Sequence, residues 1–411
     1  MIVRARVVLP MSQPPIEDGA IHVSGNKILK VGRWRDLESE AGLIFDLGDA
    51  IVVPGLVNAH CHLDYTNMAG MISPPKSFSD WIKALIAIKA QWSYSEFSQS
   101  WINGAQMLLR TGTTTVADIE AVPELLPEVW DATPLRVVSL LEMISVKSRH
   151  STAKIIAEAA GKIASLKSTK SFAGLSPHAL YSTSPELLKR SAEIAQENNW
   201  LVSTHVAESR EELEMFQQRS GSLFDWLKSQ RDNSDCGTLS PVEQLEDQGM
   251  LRPNFLAVHA NYILHSDAET LAKRESSVVH CPRSHEYFGH QKFPQKLLAD
   301  AGVNICLGTD SLASVASKPK KAVALSMFLE MQQFARNNPD VSAEKILQMS
   351  TSNGARALGL AGKIGALSAG AFADLVALPF SAATDPYETV VQNRADVTAS
   401  LIEGAWAISP A

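Results

Sequence analysis

Ile51-Val52-Val53-Pro54-Gly55-Leu56-Val57-Asn58-Ala59-His60-Cys61-His62-Leu63-Asp64 is the stretch whose reading decides the fold. Its β-branched head reads as a buried strand. With the backbone still extended at the end of that strand, His60 and His62 lie two residues apart and point to one side. Two imidazoles on one face, at the C-terminal tip of a buried strand, can share a metal ion without moving the backbone. Taken alone, the pair reads equally well as one packed histidine and one surface histidine. The rest of the chain decides between these readings.

Downstream, strand-like apolar runs recur, each preceded by a helical stretch. They are Thr113–Ile119, Arg136–Ile144, Phe172–Pro177, Trp200–Val206, Phe255–His259, Ser277–Pro282 and Val303–Asp310. With Ile51–His62 they make eight strands alternating with helices, which implies an α/β protein built as a closed (β/α)8 barrel of the TIM type. An open doubly wound sheet is the alternative, but no G-x-G-x-x-G follows the first strand, so a dinucleotide-binding version has no support.

The two ends of the chain read differently. Ile2–Leu9, Ala20–Val23 and Ile28–Val31 are short apolar runs, with Glu17-Asp18-Gly19 and Gly25-Asn26-Lys27 read as turns. This unit is too thin to hold its own core. At the other end, Ala373–Leu378 and Thr398–Ile402 are further strands. The expectation is a small β-sandwich built from residues 1–53 and 364–411, flanking a metal-binding barrel over residues 54–363.

The polar residues fall at the strand ends. His60 and His62 end strand one, His178 strand four, His205 strand five, His259 strand six and Asp310 strand eight. In a barrel such positions converge on one mouth, where this fold places its chemistry. A single buried histidine or aspartate is often a satisfied core residue. Six of them at equivalent strand ends argue for a site.

Composition sets bounds. With 411 residues, 45% hydrophobic and 20% charged, the chain has an ordinary globular make-up. Its net charge of −7 speaks against nucleic acid or anionic membrane as a partner. No apolar run approaches a membrane span, and the N-terminus lacks the features of a signal peptide. Cys61, Cys236, Cys281 and Cys306 are scattered without a C-x-x-C pair. A reduced cytoplasmic protein acting on a small molecule is expected, with a homodimer as an open assembly.

Taken together, several motifs resemble the amidohydrolase superfamily, in its deaminase and chlorohydrolase-like branch. They are Pro54–His62, Gly112-Thr113-Thr114-Thr115-Val116, Ser176-Pro177-His178, His205-Val206-Ala207-Glu208, Val258-His259, His280–Ser284, Gly308-Thr309-Asp310-Ser311 and Gly370–Leu375. The resemblance implies His60, His62, His205 and Asp310 as metal ligands and Glu208 with His259 as the catalytic pair, Asp310 sharing in proton transfer. Three neutral imidazoles and a carboxylate suit one divalent ion, zinc first, with iron or manganese fitting nearly as well. Some members hold two metals bridged by a lysine at the end of strand four. Here that strand carries His178 and no lysine, which favours a mononuclear site.

Glu208 by itself reads equally as a solvated helix-start glutamate. Three residues beyond a ligand, and in this family context, it becomes a proton shuttle. The implied reaction is hydroxide attack on an electron-poor ring carbon, with ammonia released from an adenine-type nucleoside or other amino-heterocycle. Expected substrate contacts are His178, Trp81 in Ser77–Ile82, and Ser284 and His285 after strand seven. Related deaminases commonly read C-P-x-S-N there, whereas this chain reads Cys281-Pro282-Arg283-Ser284-His285 and continues to His290. That loop looks more like members grouped with aminodeoxyfutalosine deaminases, and no role follows for Arg283 or His290. Hydrolysis of a cyclic amide or a C–Cl bond on the same scaffold is the alternative chemistry. A non-catalytic metal-binding barrel is the alternative class.

Overall fold

The computed structural model describes residues 1–316, 323–381 and 385–410. Five strands open the chain: β1 (Ile2–Val8), β2 (Ile16–Ser24), β3 (Lys27–Arg33), β4 (Ile44–Asp46) and β5 (Ala50–Pro54). Eight follow, alternating with helices: β6 (Leu56–Cys61), β7 (Thr113–Glu120), β8 (Arg136–Met143), β9 (Phe172–Pro177), β10 (Val202–Val206), β11 (Phe255–His259), β12 (Ser277–His280) and β13 (Asn304–Leu307). β14 (Leu375–Pro379), β15 (Ala399–Ile402) and β16 (Ala405–Ile408) come last.

The stretch read as one strand from Ile51 to His62 is two strands in two different sheets. The break is Gly55, where a Cβ would overlap the side chain of Thr114, so only glycine lets the chain cross from one sheet to the other. β5 alternates across its sheet. Ile51 and Val53 face the barrel side, while Ala50 and Val52 face the core of the end sheet. β14 pairs antiparallel with β5, Leu375 opposite Pro54 through Pro379 opposite Ala50, and alternates in the same way. Burial on both faces is why these runs read as continuously apolar.

β6 to β13 form a parallel sheet in sequence order. It closes where strand eight meets strand one. The N–H groups of Thr309 and Asp310 both donate to the His60 carbonyl, at 3.0 and 3.1 Å. Asn58 exchanges two hydrogen bonds with Thr309, at 2.8 and 3.0 Å. Gly308 is required at this seam, because a Cβ would lie 2.7 Å from the His60 carbonyl oxygen. The pairing of β6 with β7 shifts register between Asn58 and Cys61, an irregularity that re-aims the residues entering the mouth.

The separate sheet is built from both chain ends, in the order β16-β15-β14-β5-β1-β2-β3, with β4 also on β1. It rolls over a core of Ala5, Ile21, Ile28, Val52, Leu375 and Leu401. Phe45 on β4 meets Trp406 on β16, ring centroids 5.2 Å apart. Glu17-Asp18-Gly19 is not the turn its composition suggested. It lies inside β2, with Gly19 packed on Val8 and Asp18 paired at 2.9 Å with Arg4 of the neighbouring strand. Cross-strand pairing of Glu17 and Gly19 carries the strand through, and the turn preference survives only in the left-handed φ of 46° at Asp18. Among the described residues no helix is long and apolar enough to cross a membrane.

Candidate active site

The ends of strands one, five, six and eight bring four imidazoles and a carboxylate together. The Nε2 atoms of His62 and His205 lie 3.4 Å apart. Asp310 Oδ1 lies 3.7 Å from the Nε2 of both His60 and His62. Ligand atoms of His60, His62 and Asp310 fall within 4.8 Å of one another, as do those of His60, His205 and His259. All five residues are buried. Both ring nitrogens of His60 and the Nδ1 of His62 have no hydrogen-bond partner, although buried polar atoms ordinarily have one. A divalent cation held by nitrogen and oxygen donors meets that need.

The protonation states agree. Burial and the neighbouring His60 push His62 down to about 3. Burial and the surrounding imidazoles also hold His205 well below its ordinary value. Burial alone would raise Asp310, but the neighbouring imidazoles of His60, His259 and His62 hold its carboxyl well below the usual range. Neutral histidines and an ionised carboxylate are the forms that ligate metals. His205 Nδ1 is 2.9 Å from the carbonyl of His178, so its proton sits there and Nε2 is left bare for a cation.

Backbone strain concentrates in the same place. Ala207, His259, Ala260 and Asp310 have φ of 50°, 73°, 47° and 53°. Each costs about 1–3 kcal/mol and persists only where the surroundings enforce it. Here the His60 carbonyl holds Asp310, and the Ala207 carbonyl accepts from the N–H groups of Asn261 and Tyr262, both at 3.0 Å.

Glu208 follows strand five, and its Oε1 lies 3.5 Å from His259 Nε2. Burial, with Asp310 and Glu212 nearby, pushes its carboxyl well above the ordinary value. Its peptide N–H donates to Glu212 Oε2 at 2.9 Å, at the start of the helix Arg210–Gln218 capped by Ser209. Burial thus favours the protonated form of this carboxyl, beside the imidazole cluster.

The sequence pattern of the amidohydrolase family matches residues 51–404. This chain belongs to the amidohydrolase family. It is a hydrolase acting on carbon–nitrogen bonds other than peptide bonds. Among its relatives, a 5-methylthioadenosine/S-adenosylhomocysteine deaminase of Syntrophobacter fumaroxidans is 29% identical over 390 residues, covering 89% of this chain and 80% of that one. An adenosine deaminase from Xanthomonas campestris with bound zinc superposes with a TM-score of 0.86 at 24% identity, covering 99% and 92% of the two chains. Helicobacter pylori aminofutalosine deaminase, in complex with methylthio-coformycin, gives 0.86 at 21% identity over 98% and 99%.

In this amidohydrolase the cluster forms the floor of a cavity of about 240 Å³. Trp81, Ile82 and Leu85 of the helix Phe78–Lys89 make one wall, together with Trp226. Trp81 is fixed by donating from Nε1 to the Ala313 carbonyl at 3.3 Å. His178 also lines the cavity, its Nδ1 2.7 Å from Ser182 Oγ. Ser284 and His285 are buried and stand outside the cavity lining.

Sequence reasoning missed three residues of the site. Glu142 Oε1 is 4.0 Å from His178 Nε2, and its Oε2 is 3.6 Å from Lys89 Nζ. Burial alone would raise this carboxyl, but Lys89, His178 and His62 together hold it below its ordinary value. It ends strand three, so the strand-end rule applied to His178 would have found it. Lys89 and the hydroxyl Ser314 Oγ, which donates to Asp310 Oδ2 at 2.9 Å, carry no motif and come into place only through packing.

Proposed function

We propose that this chain is a metal-dependent aminohydrolase that releases ammonia from an adenine-type nucleoside. One observation carries the reading: the carboxyl of Glu208 is buried 3.5 Å from His259, at the edge of a cation-ready cluster. The deaminase relative and the adenine-directed deaminases of the same fold support it.

His60, His62, His205 and Asp310 would hold one divalent ion, with zinc first among the candidates because the Xanthomonas structure carries it. Such an ion lowers the pKa of a bound water towards neutrality and so supplies a nucleophile at working pH. The protein's own groups do the rest. Asp310 is an ionised base for the proton of the attacking water. Glu208 donates its proton to the ring nitrogen beside the attacked carbon, which makes that carbon a better electrophile. His259 hydrogen-bonds the incoming oxygen. The proton taken by Asp310 passes to the amino group, which departs as ammonia, while the new hydroxyl returns its proton to Glu208 as the carbonyl forms. His178 and Trp81 hold the heterocycle in the cavity.

The test is ammonia release by zinc-loaded protein from adenosine, 5′-methylthioadenosine, 5′-deoxyadenosine and aminodeoxyfutalosine. Turnover of at least one, lost in Glu208→Gln, is expected. Release only from pterins or triazines would remove the adenine reading and keep the aminohydrolase.

A further inference from the structure

His285 was expected at the substrate, yet it is buried and does not line the cavity. Its ring lies near the main chain of Gln291 and meets one side chain through a hydrogen bond: Nδ1 is 3.0 Å from Asn261 Oδ1. Asn261 in turn donates from Nδ2 to the main-chain carbonyl of Glu208 at 2.9 Å. A carbonyl can only accept, so the Asn261 amide must present its NH₂ to Glu208 and its oxygen to His285. The oxygen can only accept as well, which places the His285 proton on Nδ1. Every hydrogen bond in this relay therefore has one allowed direction.

The relay completes a clamp on one residue, gripping the peptide units on either side of it. The N–H of Glu208 is held by the Glu212 carboxylate, and its C=O by Asn261. Both ends of the residue that carries the acid are fixed from outside its own strand. Without a donor at His285, the Asn261 oxygen is left buried and unpaired, a cost that favours rotating the amide away from Glu208. We infer that His285 is a positioning residue, acting through Asn261 to hold Glu208 in line with His259. This rests on the role proposed above for Glu208.

Three substitutions separate the roles His285 could play. The side-chain nitrogen of Asn can occupy the place of histidine Nδ1, that of Gln occupies the place of Nε2, and Phe keeps the ring without a donor. With zinc-loaded enzyme and 5′-methylthioadenosine, 5′-deoxyadenosine or adenosine as substrate, His285→Asn is expected to keep kcat within about threefold, while His285→Gln and His285→Phe lose about tenfold or more at unchanged KM and metal content. A crystal structure of His285→Phe should show Asn261 turned away and its 2.9 Å contact to Glu208 broken. That contact intact in His285→Phe, with wild-type kcat, would overturn the inference. So would raised KM at constant kcat, which marks a substrate contact, or equal losses in Asn and Gln variants that follow melting temperature, which mark packing alone. Glu208→Gln is assayed alongside. Should it retain turnover, or should no nucleoside react, the functional reading is what fails, and the crystal structure alone decides the clamp.

Discussion

His205 Nδ1 lies 2.9 Å from the backbone carbonyl of His178, so the imidazole on strand five is oriented by the main chain of strand four and not by a side chain. The two histidines thus have separable parts. The His178 backbone sets the tautomer of His205, and the His178 ring is free to face the cavity.

That separation predicts that His178→Ala keeps its metal. The lost ring contact should lower kcat/KM by about 10- to 100-fold, the worth of one buried hydrogen bond. His62→Ala is expected to lose metal and activity together, and Glu208→Gln to keep metal and lose turnover by 10²-fold or more, roughly the scale of general acid catalysis. Metal analysis beside steady-state kinetics checks all three. Metal loss in His178→Ala would show that its ring belongs to the coordination shell.

Purified protein should carry one equivalent of divalent metal, since strand four offers no lysine to bridge a second. Chelation is expected to abolish turnover and lower the melting temperature, because an ion bound only by the folded chain stabilises it. Two tightly held ions per chain would reject the mononuclear reading.

Gly308→Ala should destabilise the fold by about 1–3 kcal/mol, the usual cost of overpacking. Its Cβ would sit 2.7 Å from the His60 carbonyl oxygen, at the seam that closes the barrel. The same push displaces His60, so metal affinity should fall as well. Denaturant unfolding with and without zinc measures both. Unchanged stability would mean that the seam yields without strain.

Glu212 supplies a pH dependence. Burial raises its carboxyl from an ordinary 4.5 to about 7, against the N–H groups of Glu208 and Ala207. A carboxyl whose folded value lies above its unfolded one contributes stability below the unfolded value and loses it as pH rises through the folded one. Wild-type melting temperature should therefore fall between about pH 5 and 8 more steeply than that of Glu212→Gln. Parallel slopes would mean that Glu212 is ionised throughout.

Residues 1–53 and 364–411 are proposed to fold as one unit. β14 pairs with β5 and carries β15 and β16 beyond it, so a chain ending at Lys363 loses all three and exposes the apolar core face of β5. It is expected to be insoluble or strongly destabilised, although every candidate ligand remains. A soluble truncation with full metal content and unchanged melting temperature would make the C-terminal segment a separate appendage.

By itself the sequence determined the eight-strand alternation, the imidazole and carboxylate residues at the strand ends, and the sheet shared by the two chain ends. These features follow from local periodicity and from residue types whose chemistry is unambiguous. It could not divide Ile51–His62 into two strands, because a run buried on both faces carries no alternation to mark where one sheet ends, and Gly55 marks the break only once Thr114 is seen against it. It read Glu17-Asp18-Gly19 as a turn, because the strand partners that pair Glu17 and Gly19 on either side of a left-handed Asp18 lie far away in the chain. Only the tertiary structure placed Glu142 beside Lys89 and moved His285 off the cavity and onto Asn261. Contacts of this kind depend on which loops meet across the barrel mouth, and spacing along one chain does not encode them.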